Sequence, residues 1–90
     1  MAQVLVIVRV LPEDVETPLD ELRKRIASAL PEGYELKMWD EEPIAFGLKA
    51  LRLAIIMPEQ TEGGTETLEN LISQVQGVSQ VEVEYVNRLS

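Results

Sequence analysis

The sequence predicts an α+β chain with the element order β-α-β-β-α-β, and three observations carry the prediction. Four segments are short and alternating or continuously apolar. Two segments carry apolar residues at helical spacing. Clusters of Pro, Gly and charged residues separate them. The chain has 90 residues with 46% apolar content, enough for one modest core and too few residues for a second domain.

Gln3 to Leu11 (QVLVIVRVL) reads as a buried first strand, with Val4, Val6, Val8 and Val10 on one face and Leu5, Ile7 and Arg9 on the other. Pro12-Glu13-Asp14 ends it. Thr17-Pro18 reads as a helix start, Thr17 as the N-cap and Pro18 as the first helical residue, with Asp20 and Glu21 in the first turn. Leu19, Leu22, Ile26, Ala29 and Leu30 form its apolar stripe, and Pro31-Glu32-Gly33 stops it. Tyr34 to Asp40 is a half-buried edge strand that sets Tyr34, Leu36 and Met38 against Glu35, Lys37 and Trp39.

Asp40-Glu41-Glu42-Pro43 reads as a charged turn, followed by the apolar segment Ile44-Ala45-Phe46-Gly47. Leu48 to Met57 is the third strand, with Leu51, Leu53, Ile55 and Met57 on one face. Pro58 to Gly64 is a loop. Thr65 is expected to cap a second helix with the stripe Leu68, Leu71, Ile72 and Val75, and Gly77 to end it in a left-handed conformation. The last strand runs from Val78 to about Val86, with Val81, Val83 and Tyr85 inward and Gln80, Glu82 and Glu84 outward. Two right-handed β-α-β crossovers interleaved in one sheet give a ferredoxin-like sandwich: a four-stranded antiparallel sheet with two helices on one face.

Composition removes whole classes of function. There is no His and no Cys, so imidazole bases, thiolate nucleophiles, soft-metal sites and disulfides are excluded. The formal net charge of −8 opposes polyanions, so neither direct nucleic-acid binding nor a membrane surface is expected. A base-stacking face would need aromatics on the first and third strands, and only Phe46 stands near them. Gly63-Gly64-Thr65 lacks the lysine and the spacing of a phosphate loop. Asp40, Glu41 and Glu42 read as a solvated acidic turn rather than a cation site. No nucleophile stands beside a base, so no catalytic residue, metal or cofactor is expected. The first residues carry no basic region before the apolar run, and no run is long enough to cross a bilayer, so a cytoplasmic protein is expected.

Two features resist the plain reading. The run Glu42-Pro43-Ile44-Ala45-Phe46-Gly47 is apolar where polar residues belong. The simpler expectation is that Ile44 and Phe46 close the end of the core. The alternative is a stiff loop that presents Phe46 to a partner protein. Arg88 stands at the end of an acidic strand, either on a frayed terminus or as a positive finger aimed at an anionic or metal-bound site. The uncovered sheet face offers Leu5, Ile7, Ala50, Ala54 and Trp39 beside Arg9 and Arg52, a patch that could pair two copies.

The run Pro43-Ile44-Ala45-Phe46-Gly47 within Glu42 to Leu51 resembles the Pro-Ile-(Ala/Gly)-Phe-Gly segment of the translation elongation factor 1-beta family, in its short archaeal form. The opening strand, Glu32-Gly33, the Glu62-Gly63-Gly64-Thr65 loop and the Val86-Asn87-Arg88-Leu89 ending support the resemblance, which covers essentially the whole chain. It implies a ferredoxin-like guanine-nucleotide exchange domain spanning residues 1–90. Its partner would be the GTPase elongation factor 1-alpha, which delivers aminoacyl-tRNA to the ribosome. Carried over by position, Phe46 is the phenylalanine that contacts the GTPase, within a docking set of Pro43, Ile44, Ala45, Phe46 and Gly47. Arg88, followed by Leu89, takes the place of the lysine that enters the GTPase's magnesium site in eukaryotic relatives. That is a departure, because arginine is planar and bulkier, and Ser90 extends one residue beyond Leu89. A monomer is expected. The alternative of another class is a dimeric small-molecule-binding regulatory domain of the same topology. A structural ribosome-associated module is disfavoured by the charge.

Overall fold

The computed structural model describes residues 2–59 and 63–89. The elements run β1 (Gln3–Pro12), α1 (Leu19–Ala29), β2 (Glu35–Ala45), β3 (Leu48–Pro58), α2 (Thr65–Ser73) and β4 (Val78–Arg88). All neighbouring strands are antiparallel, in the sheet order β2-β3-β1-β4. This is the ferredoxin-like α+β sandwich the sequence predicts. Middle residues 60–62 of the expected loop, Glu62 among them, lie outside the described residues, as does Ser90.

The core forms where strand alternation meets helical spacing. Val6, Val8 and Val10 of β1 and Leu51, Leu53, Ile55 and Met57 of β3 point to one side, where Leu22 and Ile26 of α1 and Leu68 and Ile72 of α2 cover them. All eleven are at most 1% exposed. Full burial of one such aliphatic side chain contributes roughly 1.5–3 kcal/mol, and this cluster is the main favourable term of the fold.

The helix starts differ from expectation. Asp14 accepts the Glu16 amide at 2.8 Å and the Thr17 hydroxyl at 3.3 Å through Oδ1. Thr17 is thus turned toward the preceding loop, and α1 starts at Leu19 with Pro18 as its uncapped N-cap. Ala29 is exposed rather than part of the buried stripe. In α2 the N-cap is Gly64, whose φ of 58° and ψ of −136° suit a residue without Cβ, and Thr65 is already helical. Gly77 does adopt a positive φ of 99°, but three residues beyond the cap Gln74, in the turn that leads into β4.

β2 runs five residues further than expected. The segment read as a charged turn is strand paired with β3, and each of its acids meets a cation on β3 or β1. Arg52 of β3 donates to Asp40 through Nε at 2.9 Å and through Nη2 at 2.6 Å. Arg9 of β1 donates to Glu42 at 2.9 Å. Lys49 lies 3.6 Å from Glu41. Pro43 is tolerated because β2 is an edge strand.

Two bulges change which residues face the helices. The β2–β3 register shifts between Leu36 and Met38, with Lys37 as the extra residue. Leu36 therefore keeps the core side, Met38 pairs with Ala54 on the open face, and Trp39 pairs with the core residue Leu53. Trp39 is thus on the helix side, not on the open face: the Arg23 guanidinium of α1 stacks 4.0 Å from its ring centroid. The second bulge lies in β4 opposite Ile7 and Val8, with Glu84 as the extra residue. It turns Tyr85 outward beside Ile7, where the side chain is 52% exposed, against the inward placement expected.

Candidate functional site at the two ends of the sheet

Leu48 follows Ala45 across a two-residue turn, Phe46-Gly47, at the tip of the β2–β3 hairpin. Both residues have positive φ, 53° and 79°, the backbone of a type I′ turn. Such a turn matches the twist of the flanking strands and favours Asn-Gly. Here Phe46 is the sole non-glycine residue with positive φ among the described residues. Its ring is wholly exposed, at 102%, and Ile44 beside it is 39% exposed. The expectation that Ile44 and Phe46 close the core is overturned, since a hairpin this long carries its tip past the helices. Pro43, Ala45 and Gly47 are likewise exposed.

The tip has company that sequence reasoning missed. The β1–α1 connection brings Val15, 60% exposed, to a shallow concavity that it shares with Asp14, Thr17, Glu41, Gly47 and Lys49. Nothing in the local sequence marks Val15, because its position depends on how the loop folds over Asp14.

Arg88 stands at the other end. It pairs with Val4 in the β1–β4 ladder, and the Leu89 amide donates to the Gln3 carbonyl at 2.9 Å, so this end is strand rather than a frayed tail. The Arg88 Nε lies 2.8 Å from Glu59 Oε1 and its Nη2 donates to Glu59 Oε2 at 3.2 Å. Leu89 is 45% exposed beside it. From the level of Val4 to the hairpin turn is nine residues of β3, about 30 Å at roughly 3.3 Å per residue. The structure therefore separates the two predicted contact regions, at opposite ends of a molecule 42 Å long.

Between them, the open face carries Arg9 and Arg52 directly opposite each other. Their charge is matched by Asp40, Glu42 and Glu82. Arg52 holds the Asp40 carboxyl below the usual carboxylate range, chiefly by its hydrogen bonds, and Asp40 in turn raises the Arg52 guanidinium. No group of acidic side chains among the described residues is arranged to hold a metal ion. No helix among them is long and apolar enough to cross a membrane.

The EF-1 guanine nucleotide exchange domain model matches residues 5–89. The chain belongs to that family. Curated proteins called elongation factor 1-beta align along its whole length. One from Desulfurococcus amylolyticus is 99% identical over 90 residues, covering all of both chains. One from Staphylothermus marinus is 66% identical, again over all of both chains. One from Thermofilum pendens is 60% identical, covering all of this chain and 99% of the relative. Among solved structures, the C-terminal domain of the MgtC protein from Mycobacterium tuberculosis superposes with a TM-score of 0.57 at 18% identity. It covers 91% of this chain and 85% of that one, a likeness of fold alone. Membership in the archaeal elongation factor 1-beta family agrees with the resemblance carried by Pro43 to Gly47 and with the ferredoxin-like fold.

Proposed function

We propose that residues 1–90 act as one exchange domain that promotes replacement of GDP by GTP on elongation factor 1-alpha, as a cytoplasmic monomer and without covalent chemistry. The hairpin tip, Pro43 to Gly47 with Phe46 at its apex, docks on the GTPase, and Arg88 with Leu89 disturbs the Mg²⁺/phosphate site. The observation that carries the reading is the wholly exposed Phe46 ring on a left-handed turn residue. A large apolar ring held away from the core at a conformational cost of about 1–2 kcal/mol serves no purpose in the folded monomer. Exposed aromatics of this kind are the usual anchors of protein interfaces.

The mechanism asks only for differential binding. GDP is held through its phosphates and the Mg²⁺ that bridges them. A cation delivered at that position competes with the metal. A partner that prefers the nucleotide-free GTPase weakens GDP by the same factor, by linkage.

Release of a fluorescent GDP from elongation factor 1-alpha tests this, with the wild-type chain, Arg88→Ala and Phe46→Ala compared. Acceleration by the wild type that drops with Arg88→Ala supports both the function and the finger. Acceleration that survives Arg88→Ala keeps the function and assigns it to the hairpin tip. No acceleration by the folded wild type refutes the reading in favour of a dimeric small-molecule-binding regulatory domain.

A further inference from the structure

Glu59 is the first residue after β3, and its amide donates to the Ala2 carbonyl at 3.2 Å. On the other side of β1, Leu89 is tied to Gln3. The start of β1 therefore fixes both Glu59 and Arg88, one on each flank, and their side chains meet across it. The contact is a fork: two guanidinium nitrogens, Nε and Nη2, face the two carboxylate oxygens at 2.8 and 3.2 Å. This is the arrangement by which arginine also grips a phosphate. The Arg88 side chain is 67% exposed while that of Glu59 is only 28% exposed. The carboxylate is thus the anchored partner, and the guanidinium is the one free to leave.

We propose that Glu59 is a resting partner for Arg88, a carboxylate that occupies the guanidinium fork in the free protein and gives it up to the phosphate-bearing site of the GTPase. The inference rests on the proposed exchange function and adds a positioning residue to it. Arg88 cannot keep both Glu59 oxygens and still offer the same fork to a phosphate. Engagement therefore includes an exchange of one anion for another. The Glu59 contact lowers the fraction of molecules with a free guanidinium, and the apparent affinity falls by that fraction. A well-formed surface ion pair of this type holds its partners by a factor of about two to five.

Glu59→Gln, and Glu59→Ala as a second variant, are titrated in the fluorescent-GDP release assay at low salt. The concentration giving half-maximal exchange is expected to fall about twofold to fivefold, with the saturated rate unchanged. The gain is expected to shrink as salt rises, because screening weakens the contact in the wild type. In an Arg88→Ala background the same substitutions are expected to change nothing. A half-maximal concentration that stays put or rises, while Arg88→Ala still slows exchange, overturns the resting role of Glu59 and leaves the exchange function standing. An equal gain with and without Arg88 overturns it as well, as an effect of net charge alone. Exchange that is indifferent to Arg88→Ala removes both the finger and its resting partner.

Discussion

The turn at Phe46 and Gly47 sets stability against function in a way that a single substitution separates. Phe46 has φ 53° and a fully exposed ring, so its side chain adds nothing to the core and its backbone is strained. Phe46→Asn keeps the turn and inserts the residue type that a type I′ turn prefers at that position. Left-handed backbone costs an ordinary L-residue about 1–2 kcal/mol, and Asn is relieved of part of this. Unlike Gly, Asn adds little freedom to the unfolded chain. A net gain of about 0.5–1 kcal/mol is therefore expected, equivalent to a rise in Tm of roughly 2–8 °C for a domain of this size. The same substitution removes the proposed anchor. Loss of a central aromatic anchor typically costs at least about 2 kcal/mol of binding, roughly 30-fold in the concentration dependence of exchange. Scanning calorimetry and fluorescent-GDP release on one preparation read both effects. A fall in Tm would show that the ring packs on the protein. A rise in Tm with unchanged exchange would show that the ring is no anchor. Either result refutes the reasoning.

Further expectations follow from the ion pairs and the glycines. Asp20 and Asp40 are both held below the usual carboxylate range, by Arg23 with Lys24 and by Arg52 respectively. A lowered folded-state pKa stabilises above the unfolded value and is lost as pH falls through the folded one. Urea midpoints are therefore expected to be level from neutral pH to about pH 5 and to drop below about pH 4, with a shallower drop in Asp40→Asn. Gly77 and Gly47 both have positive φ, but a Cβ at Gly77 would meet Leu22 Cδ1 at 3.3 Å and Arg25 Nη1 at 3.4 Å, whereas one at Gly47 would meet nothing within 4 Å. Gly77→Ala is expected to cost about 2–3 kcal/mol in denaturant titrations and Gly47→Ala only about 1 kcal/mol; equal costs would contradict the packing.

The sequence was most legible where one local period ran undisturbed. Val6, Val8 and Val10 of β1, Leu51, Leu53, Ile55 and Met57 of β3, and Leu22, Ile26, Leu68 and Ile72 of the helix stripes reached the core as read, because burial enforces a period once the element type is right. It was least legible where long-range pairing overrode local composition. Asp40-Glu41-Glu42-Pro43 has the composition of a turn, yet it pairs with β3, and its acids meet Arg52 and Lys49 of β3 and Arg9 of β1. The bulges at Lys37 and Glu84 leave no mark in their own residues, yet each reverses the facing of the residues that follow it. Met38, Trp39 and Tyr85 were misplaced for that one reason. Phe46 was marked as anomalous by its apolar setting. Its full exposure needed the strand to run five residues further than it reads, which leaves a turn of only two residues. Glu59 could not be paired with Arg88 from sequence, since the two are joined only through β1.

The separation of Phe46 from Arg88 constrains how the proposed exchange would work. Both positions are set by the same antiparallel ladders, Phe46 by β2–β3 and Arg88 by β1–β4, and β1 and β3 pair along eight positions between them. A twisted, fully paired sheet does not stretch, so the spacing of about 30 Å is fixed before any partner arrives. On this reading the docking of Phe46 places Arg88 at a set distance and raises its effective concentration at a second site, without a new contact of its own. The two ends then contribute differently. Loss of Phe46 weakens delivery and shows in the concentration dependence. Loss of Arg88 removes both a binding contact and the disturbance itself, and so shows in the saturated rate as well as in the concentration dependence. If the ends act through one rigid body, the double substitution Phe46→Ala/Arg88→Ala carries both defects together. A substitution that loosens the sheet between them, such as Leu53→Ala, about 2–5 kcal/mol in stability, then impairs exchange even though Leu53 touches neither end.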